Sequence, residues 1–431
     1  MELIIILIFT AMLIGCIAFD ISIIIALAAG YFLFFFYTLK RGFAFKEILA
    51  MSFEGIKTVK NVLIAFLLIG MMTATWRASG CIPAVVCYVS RLITPSVFIM
   101  LSFLLCMIVS VLTGTSFGTS ATMGVICMSI AVSMNISVFW VGGAILAGAF
   151  WGDRCSPVST SALLVSTITE TDLYKNIKNM VRTAVVPTII VCVIYLVAGI
   201  ILKGSGEVPD VRETFGAEFI IKPVCALPAV IIIVLALFRL DVKKVMLIST
   251  LVAAFITVLV QGMPFLELIK TLMMGYSARA EELAPIINGG GITSMVRVAV
   301  IVCIASCYSG IFKKTGLLDF LQEKMVKLAE KTGVFRTVLL ISIPAAMIAC
   351  NQTLAIMLTN QLSSKLGTDK EKLALYLENS VVLIAALIPW SIAGNVPLAA
   401  VGAPTKCMLT ACFLYVLPLW CCITERVICN K

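Results

Sequence analysis

The chain has 431 residues, of which 61% are hydrophobic and 13% are charged. Soluble domains are nearer half apolar and a quarter charged, so this composition predicts an all-α polytopic membrane protein. Histidine is absent, which excludes histidine-based catalysis and histidine metal sites. The 16 cysteines lie mostly singly in apolar runs, and no cofactor or structural metal is predicted. Loop lysines that set membrane orientation explain the net charge of +10 better than a nucleic-acid surface does.

Two apolar arms, 97–112 and 121–134, flank a polar tip at 113–122. The tip holds six hydroxyl residues and two glycines in ten positions, which predicts a helical hairpin. Its neutral oxygens suit a hard monovalent cation. Helix N-termini at such a tip would equally hold a carboxylate, so the charge of the substrate stays open at this point. The predicted ligands at this tip are Thr113, Thr115, Ser116 and Thr119.

A carboxylate, a guanidinium, a proline and several hydroxyls follow the apolar run that ends at Trp151. The segment reads Gly152-Asp-Arg-Cys-Ser-Pro-Val-Ser-Thr-Ser-Ala162. Pro157 has no N–H and clashes with the carbonyl four residues earlier, so the helix should break here. A broken helix at membrane depth is buried in protein or lines a watery cavity, and charges there are functional candidates. We therefore predict a transport site at this break.

Asp153 is the leading candidate in this segment, as a carboxylate that binds Na⁺ and H⁺ in turn. The alternative is a local pair between Asp153 and its charge partner Arg154 that only caps the break. Neighbours in sequence on a helix point in different directions, which favours the functional interpretation. The other residues of this segment predicted to bind the substrate are Ser156, Ser159 and Thr160. The residues predicted to break the helix are Gly152 and Pro157.

Similar elements recur in the same order in the two halves of the chain. Phe265-Leu-Glu-Leu-Ile, followed by Gly275, aligns without gaps on Phe45-Lys-Glu-Ile-Leu, followed by Gly55. Each half is predicted to be one repeat of about five transmembrane helices and one re-entrant hairpin, with discontinuous helices at the site. The predicted division is 1–202 for the first repeat, 203–222 for an extracytoplasmic linker and 223–431 for the second repeat.

The second half also contains a polar tip and a broken helix. Its hairpin is interrupted by Cys350-Asn-Gln-Thr353, and the broken helix at 372–400 holds Glu378 in an apolar run. We expect Glu378 either to couple transport to a proton or cation or to be a buried, neutral, hydrogen-bonded acid. The other candidates of this half are Asn351, Gln352, Asn379 and Trp390 as ligands and Pro389 as the helix break.

Positive charge predicts that the second repeat is inverted relative to the first. With five crossings in each half, the segments placed inside hold 22 Lys and Arg residues and those placed outside hold 8. Such a bias sets orientation, with both termini in the cytoplasm and the protein in the inner (plasma) membrane. The second hairpin has arms of about 14 and 13 residues, shorter than the roughly 20 that an upright crossing needs, which favours re-entrance.

At these residues the chain resembles the NhaC family of sodium/proton antiporters, within a superfamily of inverted-repeat elevator carriers. The family's Thr-Gly-Thr-Ser-x-Gly-Thr matches Thr113 to Thr119. Its Gly-Asp-Lys-x-Ser-Pro-x-Ser matches Gly152 to Ser159, with Arg154 in place of Lys. Its Leu-Glu-Asp and Leu-Ile-Pro-Trp are similar to Leu377-Glu378-Asn379 and Leu387 to Trp390. The resemblance implies a sodium/proton antiporter, and a homodimer is implied by it alone.

The chain departs from the family where the family has further carboxylates. Thr160, Asn351 and Asn379 stand at three such positions. With Asp153 as the only acid at its break, a bound Na⁺ would be neutralised once, and we expect weak sodium dependence. We also expect Asp153 and residue 160 to face one cavity, so that Thr160→Asp strengthens sodium dependence.

These observations predict a secondary active transporter that exchanges Na⁺ for H⁺ by alternating access. The alternative is an H⁺- or Na⁺-coupled exchanger of a small organic acid, amino acid or amine. A membrane enzyme is disfavoured, because the sequence has no histidine, metal-ligand cluster or nucleophile motif. The expected partners are the transported cation or solute and the lipid bilayer, without nucleic acid.

Overall fold

The computed structural model describes most of the chain. The described ranges are 22–89, 94–157, 159–202, 215–238, 242–280, 283–315, 332–364 and 366–428, together with Leu240 and single residues before 22. Within them the backbone is helical, and an isolated bridge between Tyr276 and Gly289 is the one β-type pairing. The predicted all-α class is therefore confirmed. Most of the predicted linker, 203–214, lies outside the described residues.

The first half consists of helices that end in a hairpin, a broken helix and one long helix. The helices are Ile23–Lys40, Phe45–Thr58, Lys60–Ala78, Cys81–Val89, Pro95–Thr113, Ser116–Ser133, Val138–Cys155, Thr160–Thr169 and Leu173–Ile201.

The second half also contains a hairpin, a broken helix and a closing helix. They are Pro223–Ala226, Leu227–Leu237, Val242–Leu259, Phe265–Met274, Ala284–Ile287, Gly291–Thr315, Val334–Ala349, Gln352–Ser363, Lys370–Asn379, Val381–Leu387, Ile392–Ala400, Thr405–Thr410 and Cys412–Ile428. Phe45 and Phe265, which align in sequence, each begin a helix.

Both hairpins turn by the same local device. The first hairpin (Pro95–Thr113 and Ser116–Ser133) turns at Gly114, which adopts the left-handed conformation, and its second arm is capped by the Thr115 side chain. The second hairpin (Val334–Ala349 and Gln352–Ser363) turns at Cys350, also left-handed, and its second arm is capped by Asn351. Each capping side chain accepts an otherwise unpaired backbone N–H.

Both broken helices restart at a serine cap. The first broken helix (Val138–Cys155 and Thr160–Thr169) stops at extended backbone before Pro157 and restarts at Ser159. The second broken helix (Lys370–Leu387 and Ile392–Ala400) bends by 59° and restarts at Ser391, two residues after Pro389. The two predicted breaks are therefore confirmed. Each lies at a proline, which cannot donate the next helical hydrogen bond.

The hairpins and broken helices of the two halves pack across each other. The first hairpin lies along Val138–Cys155 and also touches Ile392–Ala400 of the other half. The second hairpin lies along Val381–Leu387 and also touches Thr160–Thr169 of the other half. Each break is thus surrounded by elements of both halves.

A further group of helices lies around Gly291–Thr315. Helices Ile23–Lys40, Phe45–Thr58 and Lys60–Ala78 pack on Gly291–Thr315, and Lys60–Ala78 also packs on Val242–Leu259. Gly291–Thr315 also contacts Ile392–Ala400, a part of the second broken helix.

Exposed ion pairs also join the halves. Lys175 contacts Glu371 at 2.5 Å, and Lys370 contacts Glu170. Lys370 donates to Glu170, which lowers the pKa of Glu170, and Lys175 donates to Oε1 of Glu371. Exposed pairs of this kind add little stability, so the buried packing determines how the halves meet.

By length and composition, three described helices can cross a bilayer: Pro95–Thr113, Ser116–Ser133 and Leu173–Ile201. The second broken helix adds a fourth if its bent parts form one span. The ten predicted crossings therefore stay a prediction. Arm length supports re-entrance only for the second hairpin, whose arms have 16 and 12 residues, whereas both arms of the first hairpin are long enough to cross.

Two glycines four residues apart let the first broken helix touch the first hairpin backbone to backbone. A Cβ on Gly148 would lie 2.3 Å from the Phe103 carbonyl oxygen, and one on Gly152 would lie 2.5 Å from that of Met107. Small residues at such spacing are typical of closely packed membrane helices. Beside them the Ser110 hydroxyl donates to the Ala149 carbonyl at 2.5 Å.

We expect Gly148→Ala to destabilise the protein by about 1–3 kcal/mol, the range for an overpacked core. The added methyl group meets backbone that cannot move aside without separating the two helices. The measurement is the thermal midpoint of purified protein in detergent. Gly216→Ala is the control, because a Cβ there has nothing within 4 Å. Equal midpoints for the two variants would contradict the predicted contact.

Candidate functional site

Asp153 lies in the last turn of Val138–Cys155 and is buried, with 4% of its surface exposed. The Ser159 hydroxyl donates to its Oδ1 at 2.8 Å. The hydroxyl and the backbone N–H of Ser116, at the tip of the first hairpin, lie near this carboxylate. The break and the hairpin tip that the sequence predicts to share a site therefore meet at Asp153.

Two helix N-termini face this carboxylate. Ser159 caps Thr160–Thr169 and accepts the N–H groups of Ser161 and Ala162 at 3.2 and 3.3 Å. Its hydroxyl proton is then free to point at Asp153. Ser116 is the first residue of the second arm of its hairpin. Helix N-termini carry partial positive charge, so this position favours an anion such as the Asp153 carboxylate.

The other hydroxyls predicted as ligands hold the tip itself. Thr113 and Thr119 join their hydroxyls at 3.0 Å, and Thr119 also donates to the Thr115 carbonyl at 2.9 Å. Thr115 accepts the Gly118 N–H at 3.3 Å. Ser156 donates to the Val111 carbonyl at 2.7 Å, which fastens the break to the hairpin. The sequence identified this cluster but did not separate these residues from those that reach Asp153.

The expectation that residue 160 faces Asp153 is wrong. Thr160 is exposed, whereas Ser161 is buried, with its hydroxyl 2.9 Å from that of Ser159. The helix restarts immediately at residue 160, so the break does not fold that side chain inward. Ser161 was missed, and the Ser159-x-Ser161 spacing after the proline was the available pattern.

Arg154 does not form the local pair that was the alternative explanation of this segment. Its guanidinium is fully buried, and one terminal nitrogen, Nη2, donates to the Met180 carbonyl and the Thr183 hydroxyl, both at 3.2 Å. The same nitrogen donates to Oδ1 of Asn379, 225 positions away in the second broken helix. Arg154 therefore links the two broken helices, and Asp153 is left to the serines. The sequence did not single out Met180 or Thr183.

Glu378 is buried beside this link, with 1% of its surface exposed. Neither of its carboxylate oxygens has a hydrogen-bond partner among the described residues. One alternative for Glu378 was a buried, neutral acid held by hydrogen bonds. The predicted hydrogen bonds are therefore wrong. Arg154 and Asp153 are the charged side chains that act on Glu378, so the three side chains belong to one buried cluster. Buried polar groups are nearly always bonded, and the exceptions call for a functional explanation.

The candidates at the second hairpin hold its tip in place. Asn351 accepts the Leu354 N–H at 2.9 Å, and Gln352 donates to the Val382 carbonyl at 3.1 Å. Trp390 donates to the Met347 carbonyl at 2.9 Å, while the Pro389 carbonyl accepts from Asn395. These bonds fix the second broken helix against the hairpin. Within the described ranges these residues are not seen bonding to Asp153.

Few side chains at this cluster could act as ligands of a cation. The described residues contain no group of three or more Cys, Asp or Glu side chains placed to hold a metal ion. Asp153 instead offers one carboxylate among small hydroxyls. A proton and a monovalent cation can compete for such a group. A cavity of about 400 Å³ lies elsewhere, among Arg336, Asp369, Lys372 and Tyr376.

Known proteins similar to this chain are antiporters. The "Malate-2H(+)/Na(+)-lactate antiporter" of Bacillus subtilis is 27% identical, over 90% of this chain and 85% of that protein. The "Na(+)/H(+) antiporter NhaC" of the same species is 27% identical, over 88% and 86%. The "Arginine/ornithine antiporter ArcD" of Halobacterium salinarum is 24% identical, over 81% and 75%.

A family-wide comparison covers almost the whole chain. The sequence model described as "Na+/H+ antiporter family" matches residues 2–200 and 163–424. Those ranges include both hairpins, both broken helices and every residue of the buried charge cluster. The family is one of transporters, in agreement with the prediction that the chain is not an enzyme. This chain belongs to the Na⁺/H⁺ antiporter family.

Proposed function

We propose that this protein exchanges Na⁺ for H⁺ at the Asp153 carboxylate. The observation that carries the proposal is the hydrogen bond from Ser159 to Asp153 at a buried helix break, with Ser116 of the hairpin tip nearby. Sodium is a hard cation that prefers oxygen ligands, and a carboxylate with two hydroxyls supplies them. A proton competes for the same carboxylate oxygens. A site that crosses loaded with one or the other performs antiport.

The contacts of Arg154 favour a cation over an organic anion as substrate. A carboxylate substrate would need a free guanidinium face, but Nη2 of Arg154 already donates to Asn379, Met180 and Thr183. A carboxylate substrate would also lie beside the buried Asp153 carboxylate, which would repel it. Malate, lactate, arginine and ornithine, which occur in the names of relatives, are the organic solutes to test.

The architecture that accompanies this function is an inverted repeat. Matching hairpin turns, matching serine caps and reciprocal packing of the halves support two repeats at 1–202 and 223–431. The excess of Lys and Arg supports opposite orientations in the inner membrane with both termini in the cytoplasm. The resemblance to elevator carriers supports a homodimer. Superposition of the repeats about an axis in the membrane plane tests the inversion.

We expect Asp153→Asn to abolish sodium-driven proton movement, because the amide keeps the size of the side chain but cannot exchange a proton for Na⁺. The measurement is the internal pH of liposomes containing the purified protein under an imposed sodium gradient, with and without the four organic solutes. Asp172→Asn is the matched control, since Asp172 is an exposed helix cap away from the cluster. Wild-type pH changes in Asp153→Asn would refute the role of Asp153. A response that requires an organic solute would favour the alternative substrate class.

We expect Ser159→Ala to raise the sodium concentration for half-maximal exchange by roughly 10- to 100-fold. The loss of a hydrogen bond to a charged group typically costs about 1.5–3 kcal/mol. Ser391→Ala separates this effect from loss of the cap, because Ser391 caps the corresponding restart by accepting the Ala393 N–H at 3.3 Å. Both variants lose a cap, but only Ser159 bonds to Asp153. Equal shifts in the two variants would assign the effect to helix capping.

A further inference from the structure

We propose that Ser161 positions Ser159 for sodium binding, by accepting the Ser159 hydroxyl proton when a sodium ion occupies the Asp153 site. This inference rests on the proposed exchange at Asp153 and names a residue that acts through another. Ser161 does not touch the ion. It decides whether the Ser159 oxygen presents its proton or a lone pair toward the carboxylate.

Ser159 lies between two possible acceptors for its single hydroxyl proton. Its oxygen is 2.8 Å from Oδ1 of Asp153 and 2.9 Å from the hydroxyl oxygen of Ser161. In the second contact either hydroxyl can be the donor. Ser159 and Ser161 are 1% and 5% exposed, so bulk water does not compete for these groups. The direction of each hydrogen bond therefore depends on the groups of the cluster itself.

The helix cap limits the directions that the Ser159 proton can take. A serine oxygen carries one proton and two lone pairs. The N–H groups of Ser161 and Ala162 approach it at 3.2 and 3.3 Å from the first turn of one helix, so they share one lone-pair direction. Two directions remain, one toward Asp153 and one toward Ser161. One of them holds the proton and the other a lone pair, so the two contacts reverse together.

In the empty site the Ser159 proton points at Asp153. An ionised carboxylate only accepts hydrogen bonds, so Ser159 is the donor in this contact. Ser161 is then the donor in its contact with Ser159. The chain runs from Ser161 through Ser159 to Asp153, and hydrogen bonds aligned in this way strengthen one another.

A sodium ion on the Asp153 carboxylate reverses this chain. An oxygen binds a cation through a lone pair, so a hydroxyl that ligates sodium must turn its proton away from the ion. The other acceptor within reach of the Ser159 proton is the Ser161 oxygen, at 2.9 Å. Without that acceptor the turned proton would be a buried donor without a partner, which costs free energy. Ser161 therefore makes Ser159 available as a sodium ligand.

A proton makes a smaller demand on the chain than sodium does. One carboxylate oxygen is enough to bind it, and Oδ2 of Asp153 can do so while Ser159 still donates to Oδ1. Hard metal cations need several oxygen ligands at once. Loss of the Ser161 hydroxyl should therefore weaken sodium binding more than it weakens proton binding.

The experiment measures sodium-driven proton movement against sodium concentration at fixed pH, in liposomes that contain each purified variant. We expect Ser161→Ala to raise the half-saturating sodium concentration about tenfold, the effect of one unpaired buried hydroxyl, with a smaller change in the rate at saturating sodium. Ser161→Cys should have the same effect, because the thiol nearly keeps the volume but is a weak acceptor. Ser161→Thr keeps the hydroxyl and should restore the wild-type concentration.

A double-mutant cycle tests whether Ser161 acts through Ser159. In Ser159→Ala there is no hydroxyl proton to receive, so adding Ser161→Ala should cause no further shift. An independent ligand, or a residue with a merely structural role, would add a shift of its own. Ser166→Ala is the matched control, since Ser166 is a buried serine of the same helix whose hydroxyl donates to the Leu163 carbonyl at 2.9 Å.

Failure of this inference is distinguishable from failure of the proposed function. A wild-type protein without sodium-driven proton movement would overturn the exchange at Asp153, and this inference with it. In a wild-type protein that does exchange, additive shifts in the double variant would overturn the role of Ser161 alone. Equal shifts in Ser161→Thr and Ser161→Ala would do the same, by assigning the effect to packing. Should Ser161→Ala fail to fold, an unchanged half-saturating concentration in Ser161→Cys would overturn the role.

Discussion

The burial of the Asp153 carboxylate at a helix break is the constraint on which the rest of the site depends. A carboxylate inside a membrane protein needs donors, and a continuous helix has no spare N–H groups to provide them. The break supplies a donor through Ser159, the cap of the restarted helix, and the hairpin tip places Ser116 near the carboxylate. The close backbone contact at Gly148 and Gly152 brings these two elements together. Hairpin, break and carboxylate thus form one structural unit.

The second half of the chain joins this unit through charge. Arg154 crosses from the first broken helix to Asn379 in the second, and the adjacent Glu378 has no hydrogen-bond partner among the described residues. A buried guanidinium bound only to neutral acceptors would be costly in isolation. Two nearby acids make its presence understandable. Charged side chains, and not packing alone, therefore link the two halves.

The two halves use the same local devices for different chemistry. Both hairpins turn through a left-handed residue and a polar cap, and both broken helices restart at serine. In the first half the serine cap binds an acid, whereas Ser391 has no comparable acid at its side in the described hydrogen bonds. Gln352 and Trp390 instead bond to backbone carbonyls. The first half therefore places a buried acid against a helix cap, whereas the second half buries Glu378 away from its own serine cap.

The sequence by itself determined the helical membrane class, the two hairpin tips, the two breaks and the central place of Asp153. These follow from local physics, since proline withholds an N–H, glycine permits a left-handed turn and hydroxyls cap helix starts. Tertiary structure alone decided that Thr160 faces outward while Ser161 faces the cluster, because the direction of a restarted helix depends on what packs against it. It also decided that Arg154 binds Asn379 rather than Asp153, and that Glu378 has no hydrogen-bond partner among the described residues. Those outcomes join positions more than 200 residues apart, which no local pattern encodes.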